Sequence, residues 1–103
     1  MRFLLRKKIL PESPVNREAL EVLERGLVNL ERKQWEEAKA DFKKAIELEP
    51  EYAAAYFYLG SVLFEQELFR EAIAAFEHAL VIDPYNKELE ELVSNVRELI
   101  DIA

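Results

Sequence analysis

Cysteine is absent from the 103 residues, glycine occurs twice, and histidine, tryptophan and methionine occur once each. The lack of thiols excludes a disulfide framework, a thiolate nucleophile and every cysteine-based zinc or iron–sulfur site. Two glycines and four prolines leave no room for a glycine-rich phosphate loop or a collagen-like repeat. No uninterrupted apolar run reaches the roughly 18 residues that a membrane-spanning helix needs, and near the amino terminus the longest run is Phe3-Leu4-Leu5, too short for a secretory signal. The default expectation is therefore a cytoplasmic protein. A chain of this length makes one domain, and with half its residues hydrophobic and a third charged it has the composition of a folded one.

Basic residues are also scarce, 14 against 21 acids, and they are unevenly placed. Arg2, Arg6, Lys7 and Lys8 put +4 on the first ten residues, which leaves −11 on everything from Pro11 onward. An acidic body repels phosphate backbones, so no nucleic-acid partner is expected. The first ten residues are apolar as well, through Met1, Phe3, Leu4, Leu5, Ile9 and Leu10. Helical plotting scatters these around the axis, which argues against membrane contact through this arm.

What the chain does have is a period. Shifted by 34 residues, Gly26 falls on Gly60, Glu37-Ala38 on Glu71-Ala72, Phe42 on Phe76, Ala45 on Ala79 and Pro50 on Pro84. Each unit reads as two helices: 19–31 and 35–48, then 53–66 and 69–82, with Tyr56, Leu59 and Leu63 on one face of the third. Pro50 and Pro84 end the units because proline cannot continue a helix and disfavours helix in the residue before it. After Pro84, Leu89, Leu92, Val93, Val96, Leu99 and Ile100 recur at helical spacing and predict a closing helix over 85–102. Ser13-Pro14 offers a helix start near residue 14, and Pro11–Pro14 a hinge.

Tyr56-x-x-Leu59-Gly60 followed by Ala72, Phe76, Ala79 and Pro84 resembles the tetratricopeptide repeat, whose period is 34 residues. The resemblance implies an all-α fold, antiparallel helix pairs stacked as a short α-solenoid with a C-terminal capping helix. An arm and hinge (1–13) would precede one domain (14–103) of two repeats, about 19–52 and 53–86, and the closing helix. Gly60 and Ala72 would let the paired helices approach, with Phe76 and Tyr56 filling the space. In the first unit Val22, Arg25 and Asn29 replace the aromatic, Leu and Tyr of the pattern. Arg25 and Asn29 are expected to form a polar end cap, since no repeat precedes them.

No chemistry of catalysis is legible. His78 lies off the Ala72–Phe76–Ala79 face and is expected at the surface without partners. The many glutamates sit among Lys and Arg on helices, as solvated surface does. No enzyme, metal site or cofactor is expected. In the resembled family the first helix of each repeat lines a concave groove, and the matching positions here are Leu20, Leu23, Leu27 and Leu30, then Phe57, Tyr58, Ser61 and Phe64. Glu91, Asn95 and Glu98 come from the closing helix, with Glu24, Glu31 and Glu65 at the border. The leucine stripe reads equally as core, the side an amphipathic helix buries by default. Some family members grip a partner's C-terminal carboxylates with Lys, Asn and Arg. The matching positions here are Leu23, Leu27, Tyr58, Glu88 and Leu92, so that clamp is absent.

The expectation is an interaction module or adaptor for an apolar, basic peptide or helix. The alternative is a self-assembling scaffold, because two repeats leave apolar surface that a second copy could cover. The arm, complementary to an acidic apolar groove, is expected to dock there in its own chain or, favoured by the short hinge, in a neighbour's.

Overall fold

The computed structural model describes residues 16–102, and these form five helices: α1 (Arg17–Glu31), α2 (Trp35–Leu48), α3 (Ala53–Glu65), α4 (Phe69–Ile82) and α5 (Lys87–Ile102). The arm and hinge, with Ser13 and Pro14, lie outside the described residues. The first helix starts at Arg17 because Asn16 caps it. The Asn16 Oδ1 accepts hydrogen bonds from the backbone N–H groups of Glu18 (2.8 Å) and Ala19 (3.2 Å), a cap that contributes about 1 kcal/mol. In the same way Asn86 accepts from the Leu89 N–H at 3.0 Å, so the closing helix begins two residues later than the apolar spacing indicates.

The helix pairs α1/α2 and α3/α4 are joined by three-residue turns of one geometry. Lys33 (φ 60°) and Glu67 (φ 63°), 34 residues apart, each adopt the left-handed conformation. There the Gln34 N–H reaches the Asn29 carbonyl and the Leu68 N–H the Leu63 carbonyl, both at 2.9 Å. Such a turn satisfies the last carbonyls of the preceding helix and sends the chain back antiparallel.

Inside each pair a glycine faces a phenylalanine. A Cβ on Gly26 would stand 2.6 Å from Cε1 of Phe42, and one on Gly60 2.6 Å from Cε1 of Phe76. Ala38, Ala45, Ala72 and Ala79 are fully buried around the same rings. Ring and missing side chain are a matched pair, which explains why both recur in phase. Tyr56 is half-buried and stacks on the exposed His78, ring centroids 4.1 Å apart.

Stacking between repeats uses a second set of positions. Ala55, Leu59 and Val62 on α3 and Leu89, Val93 and Val96 on α5 are buried in one continuous core. The matching residues of α1 are Glu21, Arg25 and Val28, all exposed. The polar end foreseen from Arg25 and Asn29 is therefore present, but it is not merely solvated. Asp41 of α2 is only 7% exposed. It accepts from Arg25 Nε (3.0 Å) and Nη2 (2.9 Å) and from Asn29 Nδ2 (2.8 Å). The hydrogen bonding to Asp41, and then its negative charge, push the Arg25 guanidinium further above its usual value. In the second repeat the same three places hold Leu59, Leu63 and Ala75, all buried. At the far end, α5 turns Glu90, Ser94 and Arg97 outward, with Arg97 paired to Glu77 of α4.

Candidate functional site

Each repeat is a helical hairpin and successive hairpins stack in the same sense, so α1, α3 and α5 come to share the concave side. Two open cavities lie along it. One, of about 510 Å³, is formed by Ala53, Ala54, Phe57 and Tyr58 of α3, Asp83 and Asn86 of the α4–α5 turn, and Glu88, Leu89 and Leu92 of α5. The other, of about 530 Å³, is formed by Leu30, Glu31, Lys33, Trp35, Phe57, Ser61, Phe64, Glu65, Phe76 and Leu92. Phe57 and Leu92 line both, which makes the two cavities one groove divided by a shared floor.

The groove's aromatic side chains rest on the core. Phe57 packs on Phe76 (centroids 5.7 Å apart) and edge-on to Tyr58 (5.1 Å), while Tyr58 stacks on Phe42 of the first repeat at 5.8 Å. Phe64 meets Phe69 edge-on at 5.2 Å. An apolar surface held this way is already ordered before a ligand arrives, so binding does not have to immobilise it. The border is acidic: Glu31, Glu65, Asp83 and Glu88 against the single cation Lys33. The phenol of Tyr52 is pushed above its usual range first by burial, then by the charge of Glu24 and by Tyr58. Across the outer edge, Glu36 accepts from the Gln66 amide at 3.2 Å. That bond, followed by Lys39, holds its carboxyl below the ordinary carboxylate range.

Of the residues named from the sequence for the groove and its border, Leu30, Glu31, Phe57, Tyr58, Ser61, Phe64 and Glu65 line the cavities. Leu20, Leu27, Glu24, Glu91 and Asn95 line neither, and Leu27 is half-buried against the core. Leu23 is a correction. It is 6% exposed and belongs to the core, because α1 packs on α2 and also touches α3, and it offers little surface to a ligand. Sequence reasoning misses Ala53, Ala54, Asp83, Asn86, Leu89, Lys33, Phe76 and the half-buried Trp35 as lining residues, and it names Glu88 and Leu92 only as clamp positions. The turn residues have a usable signal, since Asp83 and Asn86 bracket the Pro84 that ends the second repeat. Among the described residues no group of three His, Asp or Glu side chains is placed to hold a metal ion, and no helix is long and apolar enough to cross a membrane.

The architecture has clear counterparts. The tetratricopeptide repeat domain of Arabidopsis OM64 superimposes with a TM-score of 0.73 at 29% identity, over 78% of this chain and 66% of that one. The second such domain of human RPAP3, solved with the HSP70 peptide SGPTIEEVD, gives 0.71 at 29% identity, over 77% and 66%. A Dictyostelium discoideum STIP1 homolog is 37% identical over 62 residues, 60% of this chain and 11% of that protein. Human tetratricopeptide repeat protein 6 is 35% identical over 63 residues, 61% and 12%. The chain thus spans about a tenth of the length of these two relatives. A tetratricopeptide repeat family model matches residues 23–87, which include both glycine–phenylalanine pairs and the turns between the helices, and the chain belongs to the tetratricopeptide repeat family.

Proposed function

We propose that this chain is a protein-interaction module without enzymatic activity, and that its concave groove takes an apolar, basic peptide segment. The observation that carries the reading is the pairing of a preordered apolar floor, Phe57 with Leu92, with a border of four carboxylates and one lysine. Burial of apolar side chains on such a floor supplies most of the affinity, about 25 cal/mol for each Å² removed from water before the cost of ordering the peptide. The carboxylates choose among partners by favouring cations and repelling acids.

The RPAP3 domain takes a peptide with three acids within its last four residues. Here Leu23, Leu27, Tyr58, Glu88 and Leu92 stand where a carboxylate clamp would need cations and amides, Leu23 is buried, and Glu88 is itself an acid at the rim. The shared architecture supports peptide binding while the exchanged charges support a partner of opposite sign. Self-assembly by end-to-end stacking has little support, since the outer faces of α1 and α5 carry Glu21, Arg25, Glu90, Ser94 and Arg97.

Trp35 is the only tryptophan and lies in the groove, so its fluorescence reports occupancy. A ten-residue peptide alternating Leu or Phe with Lys is expected to bind at least tenfold more tightly than its Lys→Glu twin. In the chain carrying Asp83→Asn and Glu88→Lys, at two exposed positions, the basic peptide should bind about two- to thirtyfold more weakly, while the melting temperature falls only slightly, through the cation placed in the first turn of α5. That range follows from rim ion pairs of about 0.2–1 kcal/mol each. Equal or tighter binding of the acidic twin would overturn the proposal.

A further inference from the structure

We infer that the groove has an occupant within the same chain: residues 1–10 lie in it, and an external partner must displace them. This rests on the reading of the groove just proposed. The arm has what that groove selects, six apolar residues of ten, four cations and no acid. In an extended chain successive side chains point to opposite sides. One side of the arm would then carry Met1, Phe3, Leu5 and Ile9 with Lys7 among them, and the other Arg2, Arg6 and Lys8 together with Leu4 and Leu10. Apolar side chains can face Phe57 and Leu92 while cations reach Asp83 and Glu88 at the rim.

The geometry permits it without a second molecule. The described chain starts at Asn16, at the N-terminal end of α1, and α1, α3 and α5 run in the same direction, so their N-terminal ends lie together. The cavity bounded by Ala53, Ala54, Asp83 and Glu88 opens at that end. Residues 11–15 alone span up to about 17 Å, and each further residue adds about 3.4 Å. Pro11 and Pro14 favour extended backbone in this linker. A tether of this length gives the arm an effective concentration in the millimolar range at its own groove, which favours cis docking over exchange between chains.

Because the chain lacks cysteine, a pair can be introduced into the full-length protein without background. In the variant Ile9→Cys with Glu88→Cys, mild oxidation should close an intrachain disulfide at least tenfold faster than in the control Ile9→Cys with Lys44→Cys. Lys44 is exposed near the C-terminal end of α2, beside the root of the arm but outside the groove. Adding the basic apolar peptide in excess should slow closure in the groove variant and leave the control unchanged. Equal rates in the two variants would show no preference for the groove, and disulfide-linked dimers in place of intrachain closure would show exchange, and either result overturns the inference. If the rates are equal while the peptide still perturbs Trp35, the groove reading stands and only the arm fails. If the peptide also has no effect on Trp35, both fail.

Discussion

Gly60→Ala should destabilise the protein by about 1–2 kcal/mol, even though alanine is the better helix former by about 1 kcal/mol. The added methyl would lie 2.6 Å from Cε1 and 2.7 Å from Cδ1 of Phe76. A ring that is 2% exposed and packed against Phe57 has no room to retreat. Overpacking of a dense core costs about 1–3 kcal/mol, and here it exceeds the propensity gain. For a domain of this size the melting temperature should fall by roughly 10 °C. Gly60→Ala combined with Phe76→Leu should lose less than the two single changes added together, because the smaller side chain vacates the place the methyl needs. A Gly60→Ala protein as stable as the parent would show that the helix pair is not held this closely.

The polar end of the array should respond to substitution in two opposite ways. Replacing Arg25 and Asn29 by Leu while keeping Asp41 leaves a carboxylate that is 7% exposed without its three hydrogen bonds. A carboxylate left without partners at this covered position costs about 1–3 kcal/mol, and thermal melts should show a drop of roughly 5–15 °C. Adding Asp41→Ala to the same protein installs the second repeat's own residues, Leu, Leu and Ala, and should restore much of the stability. It also gives the exposed side of α1 the apolar residues of a stacking face. The triple variant should therefore self-associate with concentration in light scattering more strongly than the parent. Such a result would establish that the Arg25–Asn29–Asp41 set closes the array, and a monomeric triple variant would remove that role.

These two cases mark how far the sequence can be read. The glycine–phenylalanine pairing is visible as repetition, because Gly26, Gly60, Phe42 and Phe76 recur at one spacing and that spacing has one packing solution. Helix limits are legible wherever a proline or a 34-residue equivalent marks them. They are displaced at the two starts where an asparagine caps, Asn16 and Asn86, since a cap is a local hydrogen bond with no periodicity. Asp41 escapes a reading by pattern although a signal exists: its equivalent is Ala75, and a charge at a position buried in the other repeat needs partners. Register alone puts Leu23 in the groove. The Phe57 that matches it is half-buried on α3 and lines the groove, but on α1 the shorter side chain is covered by the core. The acidic rim is only partly legible, because Asp83 belongs to a turn whose path depends on how α5 docks.

The most direct measurement is a backbone amide NMR titration of the isotopically labelled full-length chain with the basic apolar peptide and with its acidic twin. The account predicts that the basic peptide shifts Ala54, Phe57, Tyr58, Ser61, Glu88 and Leu92 and leaves Ala40, Lys44 and Val81 on the outer helices in place, while the acidic twin shifts neither set at the same concentration. Shifts centred on α2 and α4, or an acidic peptide that moves the groove residues as far as the basic one, would contradict it.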